Sequence, residues 1–512
     1  MTYQAPVEDI LFTLTSAADV AALNDRGIYD GLDEATLRAI IEEAGRFGAE
    51  VLAPLNRVGD VQGATLADGK VTTPEGWREA YRQYCEAGWN SLTGPEEFGG
   101  QDLPEIVASA TGEIWNAANL AFGLCPLLTM GAIDALRVYG SKELLDTYLP
   151  KMVSGEWTGT MNLTEPHAGS DLGGLRTRAE PQGDGTYRLF GTKIYITYGD
   201  HDLTENIVHM VLARLPDAPA GTKGISLFLV PKFLVNEDGS LGERNDVVTA
   251  GVEHKLGIHA SPTCTLKYGE NGGAVGYLVG QENRGLAAMF IMMNAARLAV
   301  GLQGVALADR ATQQAIAYAN ERTQGRGPRA KRGEMSPIIE HADIRRTIMK
   351  MRAATCAARA ICLVTARELD IAERAGTKEE REAAHMRAAL LTPVAKAYST
   401  DIGVEVASLG VQVHGGMGYV EETGAAQYYR DARILPIYEG TNGIQAIDLV
   451  TRKLPLGDGA VAASLIEELA ETVEEVRASN RPEFGRMAER LGDAVDALKR
   501  ASLWLGEQMQ DN

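Results

Sequence analysis

Tyr187-Arg188-Leu189-Phe190-Gly191 and Lys193-Ile194-Tyr195-Ile196-Thr197 are short runs rich in aromatic and β-branched residues, in a chain whose texture is otherwise helical. Runs of this kind, set off by turn residues, read as strands. Ile207 to Leu212 and Ile225 to Val230 continue the style. Before about residue 155 the apolar spacing is helical, as over Leu32 to Leu52 and Ala132 to Leu149, with a break at the glycine-rich loop Gly94-Pro95-Glu96-Glu97-Phe98-Gly99-Gly100. After Gly285 long helical stretches return: Leu286 to Arg322, Ile339 to Ala375, Glu379 to Leu409 and Thr441 to Leu454. The fold class expected is mainly α, with a compact sheet or β-barrel inserted in the middle. The boundaries expected are a helical domain at 1–156, a β domain at 157–281, a helical bundle at 282–456 and an acidic helical region at 457–512 that ends without an evident stop. The β segment is too short and too antiparallel in style for a dinucleotide-binding unit, and no GxGxxG follows a strand.

A chain of 512 residues has room for about three domains and a large core. Its net charge of −20 argues against nucleic acid or an anionic membrane as the main partner. An anionic ligand would need a local basic pocket. Cys85, Cys125, Cys264, Cys356 and Cys362 are scattered, with no CxxC and no histidine at ligand spacing, which suits small buried hydrophobes in a reducing compartment. HExxH is absent, and His254 and His259 stand in a turn-like segment, so no metal site is expected. No GxSxG elbow supports a serine hydrolase. The start, Met1 to Asp9, lacks the basic and apolar parts of a signal peptide, and no run reads as a membrane span. A cytoplasmic location is expected.

Four runs could carry chemistry. Ile437-Tyr438-Glu439-Gly440-Thr441-Asn442-Gly443-Ile444-Gln445 sets a lone carboxylate between an aromatic residue and a glycine, just before a helix that Thr441 or Asn442 can cap. A glutamate there, under bulky neighbours, has the surroundings of a general base. Met161-Asn162-Leu163-Thr164-Glu165-Pro166-His167-Ala168-Gly169-Ser170-Asp171 gathers hydroxyl and amide donors that suit a phosphate or the edge of a flat cofactor, or it is a plain connecting loop. Asn320-Glu321-Arg322-Thr323-Gln324-Gly325-Arg326-Gly327-Pro328-Arg329-Ala330-Lys331-Arg332 is the one strongly basic stretch. It is either a solvated helix end or a pyrophosphate site. Gln412-Val413-His414-Gly415-Gly416-Met417-Gly418-Tyr419 is a glycine break after a helix, a close-approach point or a C-cap.

In this order and spacing the runs resemble the acyl-CoA dehydrogenase family over nearly the whole chain: TEPHAGSD at 164–171, KIYIT at 193–197, ERTQGR at 321–326, QVHGG at 412–416 and YEGT at 438–441. The resemblance implies a helical domain, a middle β-barrel domain and a C-terminal four-helix bundle, with FAD between the latter two. It implies Glu439 as the catalytic base and FAD contacts at Met161, Leu163, Thr164, Gly169, Ser170, Tyr195, Ile196 and Thr197. It also implies FAD contacts at Arg322, Gln324, Thr441 and Gly443, and at Gln412, Gly415 and Gly416 of a neighbouring subunit. Ser170, Asn294, Arg297, Tyr438 and Gly440 match positions beside the acyl-CoA. Implied with these are conversion of an acyl-CoA thioester to a trans-2-enoyl-CoA, an electron-transfer flavoprotein as acceptor, and a homo-oligomer, here a dimer. Tyr195 stands where Trp is frequent, and Gly443 where Gln is. The added C-terminal region, TNGIQ at 441–445 and EHKLGIH at 253–259 resemble a longer bacterial branch acting on 3-(methylthio)propanoyl-CoA in dimethylsulfoniopropionate breakdown. Short- or medium-chain and aryl-propanoyl thioesters are alternatives. A DNA-associated flavoprotein of the same fold is disfavoured by the acidic residues after 460.

Overall fold

The long helices expected after residue 285 are present as Gly285–Glu321, Ala342–Arg374 and Lys378–His414. The computed structural model describes residues 3–29, 31–328 and 330–510; Met1, Thr2, Asp30, Arg329, Asp511 and Asn512 lie outside the described residues. The Thr377 side chain starts the last of these helices by accepting from the Glu380 N–H. Gly304 and Gly403 let two of the helices meet backbone to backbone. A Cβ on Gly304 would overlap the Ser399 carbonyl, and one on Gly403 would stand 2.9 Å from the Gly304 Cα. Gly304→Ala is therefore expected to destabilise the fold by about 1–3 kcal/mol, read as a lower urea midpoint at unchanged slope.

The helix Glu105–Tyr139 packs against this bundle and is bent at Asn119 (φ −160°, ψ 93°). Its first amides are capped from far along the chain. The Asp370 carboxylate accepts from the Glu105 N–H (2.6 Å), the Ile106 N–H (3.0 Å) and the Tyr29 hydroxyl (2.9 Å). The continuous helix expected over Ala132 to Leu149 is instead broken at Gly140, and Ser141 caps a new helix, Lys142–Val153. Glu105–Tyr139 and Gly285–Glu321 are long and apolar enough to cross a bilayer by composition. Neither is an unbroken apolar run: Glu113, Asn116 and Asn119 interrupt the first, and Asn294, Arg297 and Gln303 the second. In the fold their apolar windows are 78% and 56% buried against other elements.

Between the helical parts lies an eight-stranded, curled sheet in the order Val247–Val252, Thr263–Tyr268, Thr186–Thr197, Ala274–Val279, Ser226–Pro231, Asn206–Ala213, Trp157–Asn162, with Arg178–Pro181 against Thr186–Thr197. The two edge strands do not pair, so the curl is a half-barrel. Strand Thr186–Thr197 turns the corner: Thr186 to Leu189 pair with Ala274–Val279, and Gly191 to Thr197 with Thr263–Tyr268. Gly191 sits at the bend, where a Cβ would overlap the Thr177 hydroxyl. All pairings are antiparallel except Trp157–Asn162 with Asn206–Ala213. Asn206–Ala213 is buried along its whole length. Val208, Met210 and Leu212 face the helices, while Val211 and Ala213 face the other side of the curl. Beyond residue 459 the acidic helical region is two helices, Ala460–Ala478 and Met487–Gln510, parted near Pro482. An Arg387–Glu468 ion pair ties them to the bundle.

Candidate functional site

The segment before helix Asn442–Asp448 folds into a tight turn, with the Tyr438 N–H donating to the Ile434 carbonyl (3.1 Å) and the Asn442 N–H to the Pro436 carbonyl (3.0 Å). Glu439 (φ 54°) and Gly440 (φ 83°) both lie in the left-handed region. For glutamate that conformation costs about 1–3 kcal/mol, so the surroundings must hold it. The Thr441 hydroxyl accepts from the Ile444 N–H (3.2 Å) and starts the helix. Gln445 Nε2 donates back to the carbonyls of Glu439 (3.3 Å) and Gly440 (3.2 Å). From the neighbouring helix, Lys396 Nζ donates to the Gly440 carbonyl (2.8 Å) and to Asn442 Oδ1 (2.9 Å). The Tyr438 hydroxyl donates to Gln303 Oε1.

Burial pushes the Glu439 carboxyl up to about 6, against the opposing pull of Arg297 and Lys396. Burial also pushes the Lys396 ammonium down to about 8, with Glu439 and Asp401 opposing. Arg297 is 5% exposed and donates from Nη1 to Asp448 Oδ2 (3.1 Å). The guanidinium stands beside the turn, with its Nη2 close to Gly440, whereas Asn294, one turn earlier, is exposed. The Tyr438 hydroxyl is tied into the helical core by Gln303, so only the ring can line a ligand.

The Met161–Ser170 run leaves the end of strand Trp157–Asn162 and is pinned to strand Thr186–Thr197. The Ile194 N–H donates to the Thr164 carbonyl (2.9 Å), and Lys193 Nζ donates to the Leu163 carbonyl (3.0 Å) and to Glu165 Oε1 (2.9 Å). Glu165 also accepts from the N–H groups of Arg176 (2.8 Å) and Thr177 (2.9 Å) and from the Thr177 hydroxyl. Met161 and Ile196 are buried, Leu163, Thr164 and Thr197 half-buried, and Gly169 and Ser170 exposed. Tyr195 is held at φ 59° and is 61% exposed, an aromatic residue presented beside the Thr164 segment.

At the far end of the bundle the start of the basic run is held in place. Thr323 bridges to Pro337, the Gln324 N–H donates to the Ser336 carbonyl (3.0 Å), and the His341 ring meets the Gln324 carbonyl (2.7 Å). Arg322 and Gln324 face outward. His414, buried, stacks on Tyr318 at 4.4 Å, which brings the glycine turn at 415–416 to the same end as Arg322. Gln412, Gly415 and Gly416 are exposed there, as is Gly443 on its own helix. Among the described residues no three His, Cys, Asp or Glu side chains gather into a metal-binding cluster.

Models of the acyl-CoA dehydrogenase N-terminal, middle and C-terminal domains match residues 34–156, 160–270 and 283–454 in turn. The chain belongs to the acyl-CoA dehydrogenase family. Its members are oxidoreductases that use FAD. The 3-methylmercaptopropionyl-CoA dehydrogenase of Ruegeria pomeroyi is 51% identical over 498 residues, 97% of this chain and 84% of that protein. A butyryl-CoA dehydrogenase of Syntrophomonas wolfei is 36% identical over 483 residues, 92% of this chain and 79% of that protein. Caenorhabditis elegans ACDH-11 shares the fold with a TM-score of 0.79 at 22% identity, over 99% of this chain and 82% of that one. The residues present fit a flavin. Tyr195 offers an exposed aromatic face to a flat ring, and Thr164, Ser170 and Thr197 offer hydroxyl groups near its edge.

The residues that hold the acyl-CoA dehydrogenase turn, Lys396, Gln445, Gln303 and Asp448, were not singled out from sequence. One signal existed: Lys396 interrupts the apolar face of Leu390-Leu391-Thr392-Pro393-Val394-Ala395, where a lone charge must find a partner.

Proposed function

We propose that this chain oxidises 3-(methylthio)propanoyl-CoA to 3-(methylthio)acryloyl-CoA, with Glu439 as the base that removes the α-proton. The 51% identity to the Ruegeria pomeroyi enzyme, across 97% of the chain, carries the substrate assignment. The strained, half-buried carboxylate at the head of helix Asn442–Asp448 carries the base. FAD, when bound beside Tyr195, Thr164 and Thr197, supplies the acceptor for the hydride that leaves the β-carbon.

Everything else falls to the protein. A thioester α-proton is too weakly acidic for a carboxylate in water, so its removal needs hydrogen bonds to the developing enolate oxygen. The Glu439 backbone N–H is the chain's own donor for that oxygen. Burial raises the carboxyl toward the working pH, which brings base and proton closer in affinity. Lys396, Gln445 and Thr441 fix the turn so that the carboxylate does not have to be ordered on each cycle. Exclusion of water by Tyr438 and the bound thioester strengthens each of these interactions. An electron-transfer flavoprotein as the electron acceptor, a homodimer that shares the FAD site through Gln412 to Gly416, and a role in dimethylsulfoniopropionate breakdown complete the reading.

The test is anaerobic bleaching of the flavin absorbance by 3-(methylthio)propanoyl-CoA, butanoyl-CoA and octanoyl-CoA. Fastest bleaching by the methylthio thioester is expected. The margin over butanoyl-CoA should be about 10–200-fold, because one added group in an apolar pocket discriminates only that far. Faster bleaching by butanoyl- or octanoyl-CoA would move the assignment to a straight-chain dehydrogenase.

A further inference from the structure

Helix Lys378–His414 carries a lysine with no exposure at all. Lys396 points beneath the Tyr438 to Asn442 turn. Its ammonium donates to the Gly440 carbonyl (2.8 Å) and to Asn442 Oδ1 (2.9 Å). Asn442 is held in turn by the Ala397 carbonyl (3.2 Å), the Thr400 hydroxyl (3.0 Å) and Asp401 Oδ1 (2.8 Å), so the turn is bolted to one stretch of helix. A neutral donor could bond the same two acceptors. Burying an ammonium to do it is costly unless the charge itself has a use.

The charged groups around Glu439 show what that use is. Arg297 faces it from helix Gly285–Glu321, and Lys396 from helix Lys378–His414. Arg297 is matched by Asp448, with Arg452 beside the pair. Lys396 bonds only to a neutral carbonyl and a neutral amide, with Asp401 and Arg297 as its other charged neighbours. Tyr438 lies alongside, with Asp431 beyond it. Arg297 exerts the larger pull on the carboxylate, and Lys396, bonded to the carbonyl of the very next residue, adds to it with no carboxylate of its own in contact.

We propose that Lys396 is a positioning residue for Glu439: its ammonium fixes the Gly440 carbonyl, and its charge keeps the adjacent carboxylate ionised for proton abstraction. This rests on Glu439 being the base. In the holoenzyme, kcat/KM for the thioester that bleaches the wild type is measured against pH for Lys396→Gln and Lys396→Arg. The glutamine keeps a donor and loses the charge; the arginine keeps the charge. For Lys396→Gln the acid limb is expected to move up by about one unit, so activity near pH 6 falls about fivefold, and about tenfold well below it, while activity at high pH changes about threefold or less. For Lys396→Arg the limb is expected to stay in place. A loss by the same factor at every pH in the glutamine variant, or an equal shift in both variants, overturns the proposal. Should Lys396→Gln yield no flavoprotein, Asn442→Asp sets an anion against the ammonium, and an unmoved acid limb there is equally fatal. The two readings separate cleanly. Turnover by Glu439→Gln removes the base and this proposal with it, whereas an inactive Glu439→Gln with an unmoved Lys396→Gln limb removes Lys396 alone.

Discussion

Glu439→Gln is expected to bind FAD and acyl-CoA as the wild type does and to leave the flavin oxidised. The amide keeps the shape of the side chain and removes its capacity to take a proton. General-base removal typically lowers rates by about 100–10,000-fold, and the upper part of that range applies where no second carboxylate can substitute. Asp431 and Asp448, two acids of the same region, are both buried and engaged, with the Ile258 N–H and Arg297 respectively, and Asp401 is engaged with the Asn442 amide. Single-turnover bleaching, with wild type as reference, is the measurement. Bleaching within tenfold of wild type would remove Glu439 from the chemistry.

The same carboxyl fixes a pH dependence. A base must be unprotonated to act, and burial has raised this one from the usual range to about 6. The wild-type rate should therefore fall as pH drops through about 6, with the limb absent in Glu439→Gln. Stability runs the other way. A carboxyl raised in the folded state favours its protonated form there, so its ionisation costs the fold stability at neutral pH, and this is recovered as pH falls toward the unfolded value. The glutamine variant is spared that cost. It should be at least as stable as wild type at pH 7, which separates loss of chemistry from loss of fold.

How much of this could be read from the chain depended on how far apart the cooperating residues lie. Strand Thr186–Thr197 and the long helices declare themselves through local spacing, and Glu439 through its neighbours on either side. Curling of the sheet does not, since it comes from one strand pairing with two partners at different ends. The Asp370 cap on helix Glu105–Tyr139 comes from 264 positions away, and Lys396 meets Gly440 across 44. Periodicity shows that such charges are out of place on an apolar face; only the packing shows what they hold. Arg297 is a further case, its partner Asp448 lying 151 positions along the chain.

The buried pair Lys193–Glu165 gives the second large effect, and here structure and site cannot be separated. Lys193 is fully buried and bridges the Leu163 carbonyl and the Glu165 carboxylate, 28 positions away, so it fixes the Met161–Ser170 loop to the strand bearing Tyr195 and Thr197. Burial pushes the ammonium down to about 8, with Glu165 opposing. Burial alone would raise the Glu165 carboxyl, but Lys193, the Thr177 hydroxyl and the Arg176 N–H outweigh it and hold it below the usual carboxylate range. The pair is therefore ionised at neutral pH. Lys193→Met leaves that anion buried with its cation gone, a change that costs about 3–5 kcal/mol; the three remaining donors to Glu165 favour the lower end. Adding Glu165→Gln removes the stranded charge and should recover part of the loss, because removing one partner of a buried pair is worse than removing both. Urea unfolding of the two single variants and the double variant gives the coupling, and the flavin-to-protein ratio reports the loop. Both should fall together in Lys193→Met. A variant that lost stability and kept full flavin would show that the Thr164 segment holds its place through the strand hydrogen bond from Ile194 alone, and that the ion pair serves the sheet rather than the cofactor site.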